Sequence, residues 1–236
     1  LYVHISFDSL FFKQKITAFI FNFQTFVMPY IHLIAQLTKR LTHPLPGHRY
    51  HSSLKGINSN KTLPVSKEKS FLKPASVLIL LFPKDHSIHF YLTKRTDKVK
   101  HHKNQISLPG GAIESGESIQ DAALRETTEE LGVNLDSDAI IGKLTPFNIP
   151  VSGYRVHPFI AWCDFIPKVK PDPTEVEQVL IPSLHSLLND SNIHNEKRQY
   201  NGTNYVAPYF QFPEGKVWGA TAMILSEFKY ILKETK

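Results

Sequence analysis

The sequence predicts an α+β domain over residues 73–236, on three observations. The run ASVLILLF from Ala75 to Phe82 has strand length and unbroken apolar character, and it reads as a buried strand. Ile119, Ala123, Thr127 and Leu131 recur every four residues and form one apolar or small stripe on a helix from about Ser118 to Leu131. Near the end, Val217 to Leu232 repeats the helical pattern, with Trp218, Ala222, Leu225 and Ile231 on its apolar side.

Two segments precede that domain. Residues 1–27 are rich in aromatic and β-branched residues, begin with leucine and precede the first methionine, Met28. They are expected to be a non-native or disordered extension left by an upstream-extended gene model; an intact mass that includes them would contradict this. Their apolar run, Ile16 to Val27, is too short for a transmembrane helix and is interrupted by Asn22 and Gln24. No Ala-x-Ala-like cleavage site follows it. Residues 28–72 are expected to form a helix and an extended arm. The helix runs from Met28 to about Arg40 on the spacing of Ile31, Ile34, Ala35 and Leu37, and the arm carries Pro44, Pro46, Gly56 and Pro64.

Within the domain, Pro83 to Ser87 turns the first strand into a hairpin partner, Ile88 to Lys94. A cationic stretch follows, with Arg95, Lys98, Lys100, His101, His102 and Lys103 placed just before Leu108-Pro109-Gly110-Gly111. Taken alone it is a solvated basic loop; beside an acidic helix it can hold phosphate oxygens. After the helix, Ile140 to Asn148 and Val156 to Phe165 are expected strands around the turn Pro150 to Gly153. A proline-bounded loop, Val169 to Thr174, leads to Glu175-Val176-Glu177 and a short helix at Ser183 to Asn189. Asn189 to Asn204 is polar and read as a loop, Tyr205 to Phe212 as a late strand or hairpin, and Gly215 as a turn.

The chemistry concentrates in residues 108–133, where four glycines and five glutamates surround one arginine in a loop that runs into a helix. Ser118 is the expected N-cap, with Asp121 three residues on, and Gly132 the C-terminal stop. Glu126 and Glu130 lie one turn apart with Glu129 beside them, and Arg125 sits one turn before Glu129. Like charges at this spacing repel by a few tenths of a kcal/mol per pair, roughly, so the helix gains no stability from them. A hard divalent cation with room for substrate phosphates resolves the conflict; a solvated acidic face is the other reading.

Gly111, Glu117, Arg125-Glu126-Thr127, Glu129-Glu130 and Gly132-Val133, at these spacings, resemble the Nudix box of the diphosphate hydrolases. Thr127 stands where that pattern usually has an aliphatic residue. A second segment, Leu92-Thr93-Lys94-Arg95-Thr96, then Lys100, Asn104 and Leu108 to Gly111, is similar in spacing to the signature of the coenzyme A diphosphatase branch. Thr96, Lys100, Asn104 and Leu108 depart from it, replacing serine or alanine, arginine, glycine and phenylalanine. The runs Ser152 to Phe159, Glu175-Val176 before Ile181-Pro182, and Val217 to Ala222 resemble the same branch, so the likeness covers about residues 74–232.

The resemblance implies an α/β/α sandwich in which a mixed β-sheet lies between helices. It implies Mg²⁺ or Mn²⁺ held by Glu126, Glu129 and Glu130, with a backbone carbonyl from the Gly111 region. Glu129 is the first candidate for general base, with Glu175 and Glu177 as alternatives, while Arg125 and Glu117 pair to fix the loop on the helix. Arg95, Lys98 and Lys100 are the expected substrate-binding cations. The implied reaction is hydrolysis of coenzyme A or its thioesters to 4′-phosphopantetheine, or its acyl form, and 3′,5′-ADP. An ADP-ribose or NADH diphosphatase, and a catalytically silent nucleotide-binding module, are the competing readings.

The net charge of +6 is uneven: residues 1–73 hold ten Lys/Arg against two acids, and the remainder seventeen against nineteen. The excess therefore lies outside the domain and in no recognisable nucleic-acid motif, so neither a nucleic-acid nor a membrane partner is expected. A lone cysteine, Cys163, rules out an internal disulfide and suits a reducing cytoplasm. The expected partner is a small diphosphate molecule, with a homodimer as the assembly to test.

Overall fold

The computed structural model describes residues 28–47, 72–97, 104–149, 152–200 and 203–235. Residues 1–27, most of the expected arm, and the cations Lys98, Lys100, His101, His102 and Lys103 lie outside the described residues.

Helix α1 (Met28–Leu41) comes first, then strands β1 (Lys73–Lys84), β2 (Ser87–Phe90), β3 (Leu92–Arg95), β4 (Ile106–Ser107) and β5 (Gly110–Ala112). Helix α2 (Ile119–Leu131) follows, then β6 (Ile140–Lys143), β7 (Phe147–Ile149), β8 (Tyr154–Trp162), β9 (Val176–Leu180) and the short α3 (Leu184–Leu188). The chain closes with β10 (Ile193–Tyr200), β11 (Thr203–Phe212), β12 (Gly215–Trp218) and α4 (Gly219–Glu234).

The central sheet runs β2-β1-β8-β6, with β5 also paired to β1 and β7 to β8. β1 and β8 are parallel from Lys73↔Tyr154 to Leu81↔Trp162, and every other pairing in this sheet is antiparallel, so the sheet is mixed. Two three-stranded sheets, β4-β3-β9 and β10-β11-β12, complete the domain.

Strand alternation explains the layers. Side chains of β1 point to opposite faces in turn. Ile79 and Leu81 pack with Leu37 of α1 and Leu225, Phe228 and Ile231 of α4, whereas Leu78, Leu80 and Phe82 pack with Ala123 and Leu131 of α2. Helices therefore cover both faces of the sheet, and β1, buried from both sides, needs the unbroken apolar run seen in its sequence.

Helix α2 has the expected ends. The Ser118 hydroxyl oxygen accepts from Asp121 N at 3.1 Å, and Gly132 at φ 68° donates its N–H to Thr128 O at 2.8 Å. A Cβ at Gly132 would stand 2.7 Å from the Lys170 carbonyl oxygen. Gly132→Ala should therefore lower stability by more than the about 1–2 kcal/mol of left-handed backbone strain alone, as read from urea unfolding midpoints.

Five sequence expectations change. The stretch 88–94 is not one hairpin partner of β1: β2 pairs with β1, whereas β3 lies in the separate sheet β4-β3-β9. Ile119 is 38% exposed, and the face turned to the core is Ala122, Ala123, Thr127 and Leu131. A strict four-residue repeat drifts by about 40° per step on a helix of 3.6 residues per turn, so its first member falls outside the buried seam. The stretch 140–148 is two strands, β6 and β7, broken ahead of Pro146, which has no N–H to offer a ladder. The polar segment 189–204 contains β10, paired with β11 from Ile193↔Phe210 to Tyr200↔Thr203. Trp218 ends β12 instead of joining the last helix, and the Arg198 guanidinium lies 3.8 Å from its ring centroid.

Candidate active site

The site begins with close backbone approach. Gly110, at φ 152°, pairs with Val77 so tightly that a Cβ there would meet the Val77 backbone at 2.6 Å. Gly111 pairs with Ser76, and a Cβ on it would collide with the Glu126 carboxylate. The two glycines thus let α2 lay an acidic side chain directly on β5.

Arg125 organises that acid. Its Nε and Nη2 donate to the two oxygens of Glu117 at 3.0 and 2.9 Å, and Nη2 also donates to Ala112 O at 3.1 Å. Nη1 donates both to Glu126 Oε1 at 3.0 Å and to Glu129 Oε2 at 2.9 Å. The expected Glu117–Arg125 pair is present and joins the glycine-rich loop to the helix. Its hydrogen bonds hold the Glu117 carboxyl below the usual range, while burial raises that of Glu126 against the pull of Arg125.

Glu130 has partners of its own, on β3. It is 2% exposed, accepts from the Thr93 hydroxyl at 3.1 Å, and pairs with Arg95 at 3.2 Å. Burial pushes its carboxyl up to about 8, against the opposing effects of Arg95 and Thr93. Thr93 was not among the sequence candidates. Its signal was strand alternation, since residues 93 and 95 on β3 share one face.

The other nitrogen of Arg95, Nη2, lies 3.5 Å from Glu175 Oε2, so the guanidinium bridges two acids. Glu175 is brought there by its loop. Lys170 N and Asp172 N donate to the last carbonyls of α2, Leu131 O at 2.7 Å and Glu130 O at 3.2 Å. Thr96 N donates to Glu175 O at 2.9 Å, and its hydroxyl to Thr174 O at 3.0 Å. Arg95, expected to meet substrate, is occupied by carboxylates. Glu177 pairs with Lys94 at 3.0 Å. Beside these groups opens a cleft of about 400 Å³ lined by Thr96, Asp97, Asn104, Pro173, Val176 and Glu177.

The departures from the resembling patterns have local explanations. Asn104, where glycine is usual, sits at φ 58°, a backbone state that asparagine tolerates better than most residues. Leu108 is a core residue at 2% exposure, and the Thr127 hydroxyl donates to Ala123 O at 2.7 Å and so is satisfied while buried.

The oxygen donors are of the type a hard divalent cation takes. Their present arrangement centres on arginines: among the described residues no three His, Cys, Asp or Glu side chains gather as a metal-binding group. Glu129 is the most exposed of the three helix acids, with its side chain 57% exposed and its carboxylate held by Arg125 Nη1 at 2.9 Å.

Two glycines admit an acidic helix onto one face of a mixed sheet, and Arg125 and Arg95 tie its carboxylates to the glycine-rich loop and to Glu175. The NUDIX domain family matches residues 72–201, more than half of the chain, and the chain belongs to that family. Nudix hydrolase 15, mitochondrial, of Arabidopsis thaliana is 36% identical over 172 residues, covering 69% of this chain and 60% of that relative. Nudix hydrolase 22, chloroplastic, of the same plant is 32% identical over 166 residues, covering 65% and 53%. This chain thus spans between half and two thirds of the length of these two curated relatives. The crystal structure of a MutT/nudix family protein from Enterococcus faecalis aligns with a TM-score of 0.47 at 18% identity, over 73% of this chain and 66% of that one.

Proposed function

We propose that this chain hydrolyses the diphosphate of coenzyme A or an acyl-CoA, yielding 4′-phosphopantetheine, or its acyl form, and 3′,5′-ADP. The observation that carries the reading is that two arginines tie together the acids of one stretch of helix and a distant loop: Arg125 takes Glu126 and Glu129, and Arg95 links Glu130 to Glu175. Coenzyme A as the substrate is supported by the branch-like segments at 92–111, 152–159, 175–182 and 217–222.

In this reading Glu126, Glu129 and Glu130, with the Gly111 carbonyl, would hold Mg²⁺ or Mn²⁺, which would supply stabilisation of charge on the diphosphate and a lowered pKa for water. Glu129, the most exposed of the three, takes the proton from the attacking water, with Glu175 and Glu177 as the alternative bases. Water adds to one phosphorus, the bridging P–O bond breaks, and the leaving phosphate carries the electron pair away. Arg125 and Glu117 hold the loop and helix in register throughout. Lys98 and Lys100 remain the proposed cations for substrate phosphates.

Initial rates with CoA, NADH, ADP-ribose and a nucleoside triphosphate, each with Mg²⁺ or Mn²⁺, test the substrate. CoA should be fastest; faster ADP-ribose cleavage would overturn the coenzyme A assignment. Chelation by EDTA should abolish turnover, and excess Mg²⁺ or Mn²⁺ should restore it. Among the described residues no helix is long and apolar enough to cross a membrane. The buried thiol of Cys163 is compatible with a reducing compartment, and we propose the cytoplasm, to be checked by imaging the tagged full-length protein. A homodimer is tested by light scattering.

A further inference from the structure

We infer that Arg95 is a positioning residue that holds the Glu175 loop against the buried Glu130 of α2, not a substrate contact. The inference rests on the site described above and deepens the proposed diphosphatase reading.

Its geometry is that of a bridge. Nη1 pairs with Glu130 Oε1 at 3.2 Å and Nη2 with Glu175 Oε2 at 3.5 Å, so each end of the planar fork faces a different carboxylate. The Arg95 side chain is only 23% exposed and Glu130 only 2%. A cation so placed has little free donor surface for a phosphate group. Removing it would leave a buried acid with the Thr93 hydroxyl as its hydrogen-bond donor among the described residues.

The surrounding backbone makes the same connection. Arg95 N donates to Gln105 O and Asn104 N to Arg95 O, which fixes the strand end from which the guanidinium projects. The next residue, Thr96, holds Glu175 O and Thr174 O. Asp172 accepts from Thr174 N and its hydroxyl at 2.8 and 2.7 Å, stiffening the loop from within. The Arg95 side chain therefore adds the last tie, the one that sets the Glu175 carboxylate rather than its backbone.

The test uses the full chain and the variants Arg95→Gln, Arg95→Lys and Glu175→Gln, with two readouts. Hydrogen exchange of the metal-free proteins should show amides in 172–177 exchanging about threefold faster in Arg95→Gln, the scale of losing one partly exposed ion pair. Glu175→Gln, whose altered side chain is 49% exposed, should give the same acceleration, and the double variant no more than either single one. In turnover, kcat of Arg95→Gln should fall about tenfold to a hundredfold with KM within about threefold, as for other groups that orient site residues. Lysine, with charge but no fork, should recover only part of either effect.

Unchanged exchange in both single variants overturns the inference, whatever turnover does. So does a large rise in KM at constant kcat, which marks a substrate contact. If the wild-type chain cleaves no diphosphate, the functional reading fails, while the exchange comparison still decides the role of Arg95.

Discussion

Glu130→Gln should reduce turnover by about two to three orders of magnitude without loss of fold. The magnitude corresponds to the several kcal/mol of charge stabilisation that a divalent ion supplies at a reacting phosphate, at about 1.4 kcal/mol per decade. Glutamine keeps the volume at a position that is 2% exposed, so packing against β3 survives and the Thr93 hydroxyl keeps an acceptor. The stability effect has the opposite sign. In the metal-free protein burial raises the Glu130 carboxyl from 4.5 to about 8. A group raised on folding contributes stability that is complete below its unfolded pKa and is lost as pH climbs through the folded value. Glutamine has no such loss, so the variant should gain on wild type between pH 4.5 and about 8 in denaturant melts. A variant that loses stability relative to wild type as pH rises over that range contradicts the electrostatic account of this residue.

Arg125→Ala should be the most destabilising polar substitution at the site. Five hydrogen bonds radiate from this guanidinium, to Glu117 twice, Glu126, Glu129 and Ala112 O. With the side chain 24% exposed, the expected loss lies between that of a surface pair and a buried one, about 2–4 kcal/mol. It leaves three carboxylates facing one another without their counter-charge, so activity should fall with stability. Lysine should rescue poorly, because one ammonium cannot grip both Glu117 oxygens and still reach Glu126 and Glu129. Chemical denaturation of Arg125→Ala, Arg125→Lys and wild type in parallel gives the comparison.

Much of this arrangement was legible locally. The caps at Ser118 and Gly132 and the Glu117–Arg125 pair all form within residues 117–132, where helix spacing dictates which groups meet. The β1 run was equally readable, because burial on both faces forces continuous apolarity. What escaped depends on distant pairing. Arg95 and Glu130 are 35 residues apart, and Glu175 is farther along the chain, so nothing nearby in sequence announces that this cation is bound by two acids. Strand β10, with the sequence IHNEKRQY, offers no apolar alternation; its strand state comes from the partner β11 and from side chains such as Glu196, which takes Arg198 at 2.9 Å and Lys216 at 3.0 Å. A hairpin signal was available in the dipeptide Asn201-Gly202 that lies between the two strands in sequence. Thr93 could also have been found, by extending the face of Arg95 two residues back along the strand.

The most direct test of the proposed activity is phosphorus NMR of the purified chain incubated with CoA and Mg²⁺, alone and with EDTA. The account predicts 4′-phosphopantetheine and 3′,5′-ADP in equal amounts, no orthophosphate, and complete suppression by the chelator. Intact CoA after prolonged incubation with Mg²⁺ or Mn²⁺, or cleavage that proceeds unchanged in EDTA, would contradict it.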